Sequence, residues 1–153
     1  MKILIYTLLL MTLSDLHGQS SICNKILWES IRTNCFRKSI SNLSQYGDKK
    51  TGIILVDRSN KIRNLMPFLI DSIKYKVSHS SEYDSVDVAH INYLVYTNKI
   101  NEYANIVVIY KFEKKGNIYV IGFWRPIDGG HARIEYSYRK KKLSILAHEC
   151  GAI

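Results

Sequence analysis

The chain of 153 residues has few of the residues that interrupt helices and strands. It has only 2 Pro and 8 Gly, while 46% of its residues are hydrophobic and 23% are charged. Disordered and low-complexity chains show the opposite balance, with few apolar residues and many Pro or Gly. We therefore predict an ordinary globular protein.

Long apolar runs are also scarce. The run Ile3 to Leu13 is shorter than the roughly 20 residues that a helix needs to cross a bilayer. It follows the basic start Met1-Lys2 and precedes a polar stretch that ends in small residues, which is the layout of a secretory signal peptide. We predict a signal peptide over residues 1–20 and a single domain over 21–153, exported to the periplasm or the extracellular space.

The processing of this leader leaves two details open. A cut before Ser21 has small residues at the required places, and a cut one or two residues earlier also fits. Cys23 lies close behind, where a bacterial lipoprotein carries its modified cysteine, but Ile22 precedes it in place of a small residue. Plain export is therefore favoured over lipidation.

Cysteine is sparse, with three residues after the leader and no Cys-x-x-Cys motif, which argues against a redox enzyme or a zinc site. Export favours paired thiols. Cys23 and Cys35 would be about 18 Å apart on one helix, beyond disulfide range. Cys35 shares a helical face with Leu27 and Ile31, so we predict a Cys35–Cys150 disulfide, with Cys23–Cys150 as the fallback.

Acidic residues are outnumbered, with 13 Asp and Glu against 22 Lys and Arg, and the formal net charge is +9. Such a charge favours anionic partners: nucleic acid, an envelope glycolipid or an acidic protein. The cations gather at Lys49-Lys50, Lys114-Lys115 and Arg139 to Lys142. Lysines at turns commonly form a solvated surface that resists aggregation. A site for polyanions requires in addition that these tips share one face.

Apolar periodicity predicts two helices. The first runs from Asn24 to about Gln45, with a bend or break near Asn34. The second has its N-cap at Asn64. Its apolar face consists of Ile62, Leu65, Met66, Leu69, Ile73 and Val77.

The other predicted elements are strands. They are Gly52 to Asp57, Ile91 to Thr97, Asn105 to Glu113, Ile118 to Arg125, His131 to Tyr138 and Leu143 to His148. Short turns between the last strands predict a C-terminal meander. The predicted fold class is α+β, with two helices packed on one face of a curved antiparallel sheet of about five to six strands.

Catalytic patterns are weak, because the chain has no nucleophile-elbow motif and no Gly-rich phosphate loop. The best candidates are His131 and His148, which begin and end a predicted hairpin, together with Asp128 or Glu149. Their spacing matches no established signature, and we predict no metal and no cofactor.

Aromatic strand residues are the candidates for binding. Trp124, Tyr119, Tyr136 and Tyr138 are predicted to line a recognition face. The alternative is that aromatic residues simply favour strands.

Together these patterns favour a small exported binding protein without catalysis, which recognises a protein or a small ligand. An immunity or inhibitor protein of the periplasm fits this size and location. Two alternatives are a secreted hydrolase or metal-dependent enzyme that uses His131 and His148 with a nearby carboxylate, and a binder of an anionic envelope component.

Overall fold

The computed structural model describes residues 21–40, 52–63, 65–79 and 105–151, which form two short helices and one curled, mixed sheet. The predicted signal peptide, the predicted strand Ile91 to Thr97 and the tip Lys49-Lys50 lie outside the described residues. None of the described helices is long and apolar enough to cross a membrane.

The described part of the first helix, α1, covers residues 21–31, and α2 is Asn34–Ser39. The strands are β1 Ile53–Asp57, β2 Phe68–Ile70, β3 Ile73–Ser78, β4 Ile106–Lys115, β5 Ile118–Trp124, β6 His131–Arg139 and β7 Lys142–Gly151. Their order in the sheet is β2-β3-β1-β4-β5-β6-β7. β1 runs parallel to both of its neighbours, and the other four described pairs are antiparallel.

Thr33 separates the two helices. It has an extended backbone, and its Oγ1 accepts a hydrogen bond from the backbone N–H of Phe36 at 3.1 Å. The same hydroxyl donates to the carbonyl of Ser30 at 2.7 Å. A threonine cap of this kind satisfies a free donor at the start of α2. The helix predicted from Asn24 is thus divided at Thr33, next to the break expected near Asn34, and its predicted part beyond residue 40 lies outside the described residues.

The second predicted helix is wrong, because the hairpin of β2 and β3 occupies its place. Phe68, Ile70 and Tyr75 are buried, whereas Leu69 and Met66 are 68% and 79% exposed. Burial that alternates along the chain is the period of a strand. The predicted helical face contains the buried Ile62, but it also placed the exposed Leu69 and Met66 in the core and left out Phe68, Ile70 and Tyr75.

A two-residue turn joins these strands. Asp71 and Ser72 both have positive φ, 50° and 65°, between the paired residues Ile70 and Ile73. Two positive φ angles in succession are the geometry of a type I′ turn, whose twist matches that of a hairpin. The sequence lacks the usual Asn-Gly at this turn, so the hairpin carries no strong local signal.

The predicted fold class is corrected accordingly. Within the described residues the sheet has seven strands and is mixed, instead of five to six antiparallel strands beneath two helices. Parallel pairing arises at β1, where Leu55 lies between Val77 of β3 and Val107 of β4. Only the stretch from β4 to β7 is the antiparallel meander that its short turns predict.

The core lies between the helices and one face of the sheet. Phe36 of α2 packs edge-on against Phe123 of β5, with 4.8 Å between ring centroids. The fully buried Ile121 and Ile134 are paired on the same face. Val56, Ile106 and Val108 are also buried but lie outside this cluster. The central strands are thus apolar on both faces, as the sequence of β5 predicts.

Candidate functional site

The two predicted catalytic histidines do not converge. His131 pairs with Gly151, and its ring lies close above that glycine, whereas His148 pairs with Ile134, three positions further along β6. Side chains alternate between the faces of a strand, so an odd separation puts the two imidazoles on opposite faces of the sheet. They therefore do not share one pocket.

The predicted carboxylates have other contacts. Asp128 forms an ion pair with the buried Arg125 at 3.2 Å and accepts a hydrogen bond from the backbone N–H of Gly130 at 3.1 Å. This arrangement fixes the loop between β5 and β6. Glu149 is exposed on β7. Within the described residues, no three His, Cys, Asp or Glu side chains form a group that could hold a metal ion.

The predicted aromatic residues are divided between the two faces. Tyr119 and Tyr136 are paired and buried on the face that the helices cover, and Tyr138 packs edge-on against Tyr119 at 6.3 Å. Trp124 pairs with His131 on the opposite face. Their predicted role in binding stays a prediction, and three of the four lie against the core face.

The structure brings the two predicted disulfide partners together. The thiol of Cys35 donates to the carbonyl of Glu149 at 3.2 Å and lies beside the side chain of Cys150. All three cysteines are in the thiol form. Burial, followed by the hydrogen bond with Cys150, raises the pKa of Cys35 to about 12. The pair links α2 to the end strand β7.

Two of the three predicted lysine tips lie at the same end of the sheet. The turn after Lys115 joins β4 to β5, and the turn after Arg139 joins β6 to β7. Alternate turns of a meander emerge at one end, and the backbone N–H of Tyr138 donates to the carbonyl of Asn117 at 2.8 Å, which ties the turns together. We call this surface the basic end; it consists of Lys114, Lys115, Arg139, Lys140, Lys141 and Lys142.

Two grooves open at the basic end, one on each side of α1. The first, the β7 groove, has a volume of about 620 Å³ and contains Lys25 of α1, Arg32 directly after α1, and Lys141 and Lys142. The second, the β4 groove, has a volume of about 530 Å³. It is lined by Cys23, Lys61, Phe112, Glu113, Lys114, Lys115 and Tyr119. Both grooves have more cations than carboxylates, so each attracts anions.

A buried carboxylate brings Lys61 to the β4 groove. Asp57, at the carboxyl end of β1, accepts hydrogen bonds from the backbone N–H groups of Ser59 and Ile62, both at 2.9 Å. The imidazole of His79 lies 3.8 Å away. Because Asp57 satisfies the backbone of residues 58–62, that loop folds back and places Lys61 beside the β4–β5 turn.

Strain at the second turn is a further property of the basic end. Lys140 and Lys141 have positive φ angles of 48° and 62°. The left-handed conformation costs a non-glycine residue about 1–2 kcal/mol, and Asn-Gly is the common choice there. Glycine or asparagine would fit these two positions better than lysine, and the chain nevertheless has two lysines there.

Lys25 and Arg32 were not among the predicted site residues. They are seven residues apart, about two helical turns, so Lys25 of α1 and Arg32 directly after it are expected on the same side of the helix. That spacing, combined with the rule that alternate turns of a meander emerge at one end, is the signal that predicts the β7 groove.

Comparison with known proteins gives no relative: no family model, no curated protein and no solved structure matches the chain.

Proposed function

We propose that the chain is an exported binding protein without catalysis that holds an anionic partner at the basic end. The observation that carries this proposal is the convergence of the turns after Lys115 and Arg139, which gathers six cations at one end of the sheet beside two grooves. Clustered charge of one sign speeds encounter with a partner of the opposite sign and orients it.

The strained turn supports the same proposal. A lysine-rich solvated surface needs no particular backbone conformation, whereas Lys140 and Lys141 keep their charge at left-handed positions. Strain of this kind is found at functional sites, where the surrounding structure holds it. Asp71 and Ser72 have similar positive φ angles in the β2–β3 turn, so the support for the proposal is the charge of Lys140 and Lys141 and not the strain alone.

The test is the binding of fluorescent polyglutamate to the full chain, measured by anisotropy at low and at physiological salt. Replacing Lys141 and Lys142 with Glu should weaken binding about tenfold or more. The matched control replaces Lys74 and Lys76 with Glu. Both are exposed residues of β3, away from the basic end. This control changes the net charge equally and should have a much smaller effect. Equal losses in both variants would contradict the proposal.

The alternative of an enzyme is tested in the same assay. Replacing His131 and His148 together with Ala should leave polyglutamate binding unchanged, because both lie away from the basic end. Metal analysis of the purified chain should detect no stoichiometric ion. Zinc that is lost in the double variant would instead favour the metal-dependent enzyme.

A further inference from the structure

The strand that borders the β7 groove is the end strand of the described sheet. β7 has ten residues, most of them exposed, and Ile145 and Leu146 are 50% and 54% exposed. The outer edge of an end strand presents backbone N–H and C=O groups that can pair with another extended chain. Short or covered end strands avoid such pairing, whereas β7 is long, and none of the described strands lies on its outer side.

A β-bulge divides this edge. Ile145 pairs with Tyr136 and Ala147 with Glu135, so Leu146 is an extra residue without a partner on β6. A bulge bends and twists its strand. The regular part of the edge next to the groove is therefore Lys142 to Ile145, about four residues of extended chain, or roughly 13 Å.

The walls of the β7 groove combine charge with apolar surface. Four cations line it: Lys25 from α1, Arg32 directly after α1, and Lys141 and Lys142 from the β6–β7 hairpin. Glu29 is the carboxylate among its lining residues, and Leu143 and Ile145 add aliphatic surface. A complementary ligand is extended, carries negative charge and has apolar groups between its charges.

We propose that the β7 groove binds an extended acidic segment of a partner protein, whose backbone pairs with Lys142 to Ile145. Its carboxylates meet the cations of α1 and of the hairpin, and its alternate apolar side chains contact Ile145. This mode of recognition obtains affinity from main-chain hydrogen bonds and specificity from alternate side chains. The inference rests on the proposed function, because it names the partner of the basic end.

The lining residues favour a polypeptide over a nucleic acid. Single-stranded nucleic acids are held by exposed aromatic rings that stack on the bases, and Tyr136, the ring that lines this groove, is 2% exposed. Glu29 would also repel a closely spaced row of phosphates, whereas a peptide can place an apolar side chain beside it. The exposed aliphatic surface of Ile145 has no use in phosphate binding.

The experiment compares defined probes on the full chain. A capped, labelled peptide that alternates Glu and Val should bind most tightly. Polyglutamate of equal charge and a single-stranded oligonucleotide of equal charge should bind more weakly, and a peptide that alternates Lys and Val should not bind. Isotope-edited infrared or NMR spectra of the bound peptide should show an extended strand paired with β7.

Three variants separate the contributions of apolar contact and of charge to peptide binding. Ile145→Thr keeps a β-branched residue in β7 and should weaken binding of the Glu-Val peptide about fivefold. Leu69→Thr, the control on the other end strand, should not weaken it. Glu29→Gln should tighten binding roughly two- to fivefold, a gain that misfolding cannot produce.

The outcomes distinguish this inference from the function on which it rests. Absence of binding by every anionic probe would overturn both. Binding of polyglutamate or of the oligonucleotide that is as tight as that of the Glu-Val peptide, with Ile145→Thr and Glu29→Gln unchanged, would leave an anion-binding protein and overturn the acidic-segment proposal.

Discussion

The phenol of Tyr136 donates a hydrogen bond to Oγ of Ser30 across 3.0 Å, and both residues are buried. The direction follows from the hydroxyl of Ser30, whose single proton is already donated to the carbonyl of Ile26 at 2.7 Å. This bond connects α1 to β6 beneath the β7 groove. It fixes the position of α1, which carries Lys25 and ends directly before Arg32.

Removing this phenol should cost stability without changing the fold. Tyr136→Phe deletes the donor but leaves Ser30 bonded to Ile26, so we expect a loss of about 1 kcal/mol in the free energy of unfolding. Urea denaturation gives the value. Tyr110→Phe, at a residue that is 46% exposed, is the control and should stay within about 0.5 kcal/mol of the parent. Equal values for the two variants would show that the bond contributes nothing.

Alkaline pH should destabilise the reduced chain through buried thiols and phenols, among them Cys35, Tyr75 and Tyr136. Burial raises the pKa of Cys35, Tyr75 and Tyr136 to about 12, from ordinary values of 9.0 for the thiol and 10.0 for the phenols. The folded state therefore holds these protons more tightly than the unfolded state. Their contribution is complete below the unfolded pKa and is lost as pH rises from about 9 to 12.

The measurement is the free energy of unfolding against pH, recorded together with tyrosinate absorbance. We expect no loss from these groups below about pH 9 and a progressive loss above it. In Tyr136→Phe the slope between about pH 10 and 12 should be smaller. A slope that is unchanged in this variant would mean that Tyr136 titrates normally in the folded state.

The contact between Cys35 and Cys150 makes their disulfide a direct prediction for the chain under oxidising conditions. The two thiols would give two electrons and two protons to a disulfide-bearing oxidant such as oxidised glutathione, which is reduced to two thiols. The bridge would close a loop of about 115 residues. In the chain-entropy model such a loop is worth about 4 to 5 kcal/mol.

Redox dependence is the test of this bridge. Oxidation should raise the melting temperature of the parent chain but not of Cys35→Ser, and non-reducing peptide mapping should find a Cys35–Cys150 peptide. Cys23 is also buried, so Cys23→Ala should lower the melting temperature equally in oxidised and reduced protein. A Cys23–Cys150 peptide, or three free thiols after oxidation, would contradict the pairing.

Local signals predicted the C-terminal half of the described fold. Turns such as Gly116-Asn117 lie between apolar strands, and a short turn leaves neighbouring strands no other arrangement than an antiparallel pair. Ile53–Asp57 pairs in parallel with β3 and β4, which are distant from it in the chain. No pattern of neighbouring residues predicts such a pairing. The error at Phe68–Ile70 has a different cause, since its residues fit both a helical and a strand period.

The candidate site was also predictable only in part. The helical face that Cys35 shares with Leu27 and Ile31 predicted that its thiol points toward the core. Its approach to Cys150 depends on how α2 packs against β7. The clusters of basic residues could be read from the sequence. Whether they meet at one end of the sheet depends on the order of the strands. The offset of His131 from His148 depends on register, which a bulge at Leu146 shifts by one residue.

The two strained turns offer a matched pair of variants that separates stability from binding. Ser72 and Lys141 occupy the second position of two-residue turns, with φ angles of 65° and 62°. Glycine accepts this conformation without steric cost, so Ser72→Gly and Lys141→Gly should each stabilise the fold by about 0.5–1 kcal/mol after the entropy of glycine is counted. Thermal unfolding gives both values.

Only one of these variants should affect binding. Lys141→Gly removes a cation from the basic end and should weaken polyglutamate binding although the fold becomes more stable, whereas Ser72→Gly, at the distant β2–β3 turn, should leave binding unchanged. Anisotropy titrations of the two variants beside the parent provide the comparison. Because both changes relieve the same kind of strain, a weakening in Lys141→Gly alone assigns the effect to the lost charge. If both variants bind polyglutamate as the parent does, the charge of this turn has no role in recognition.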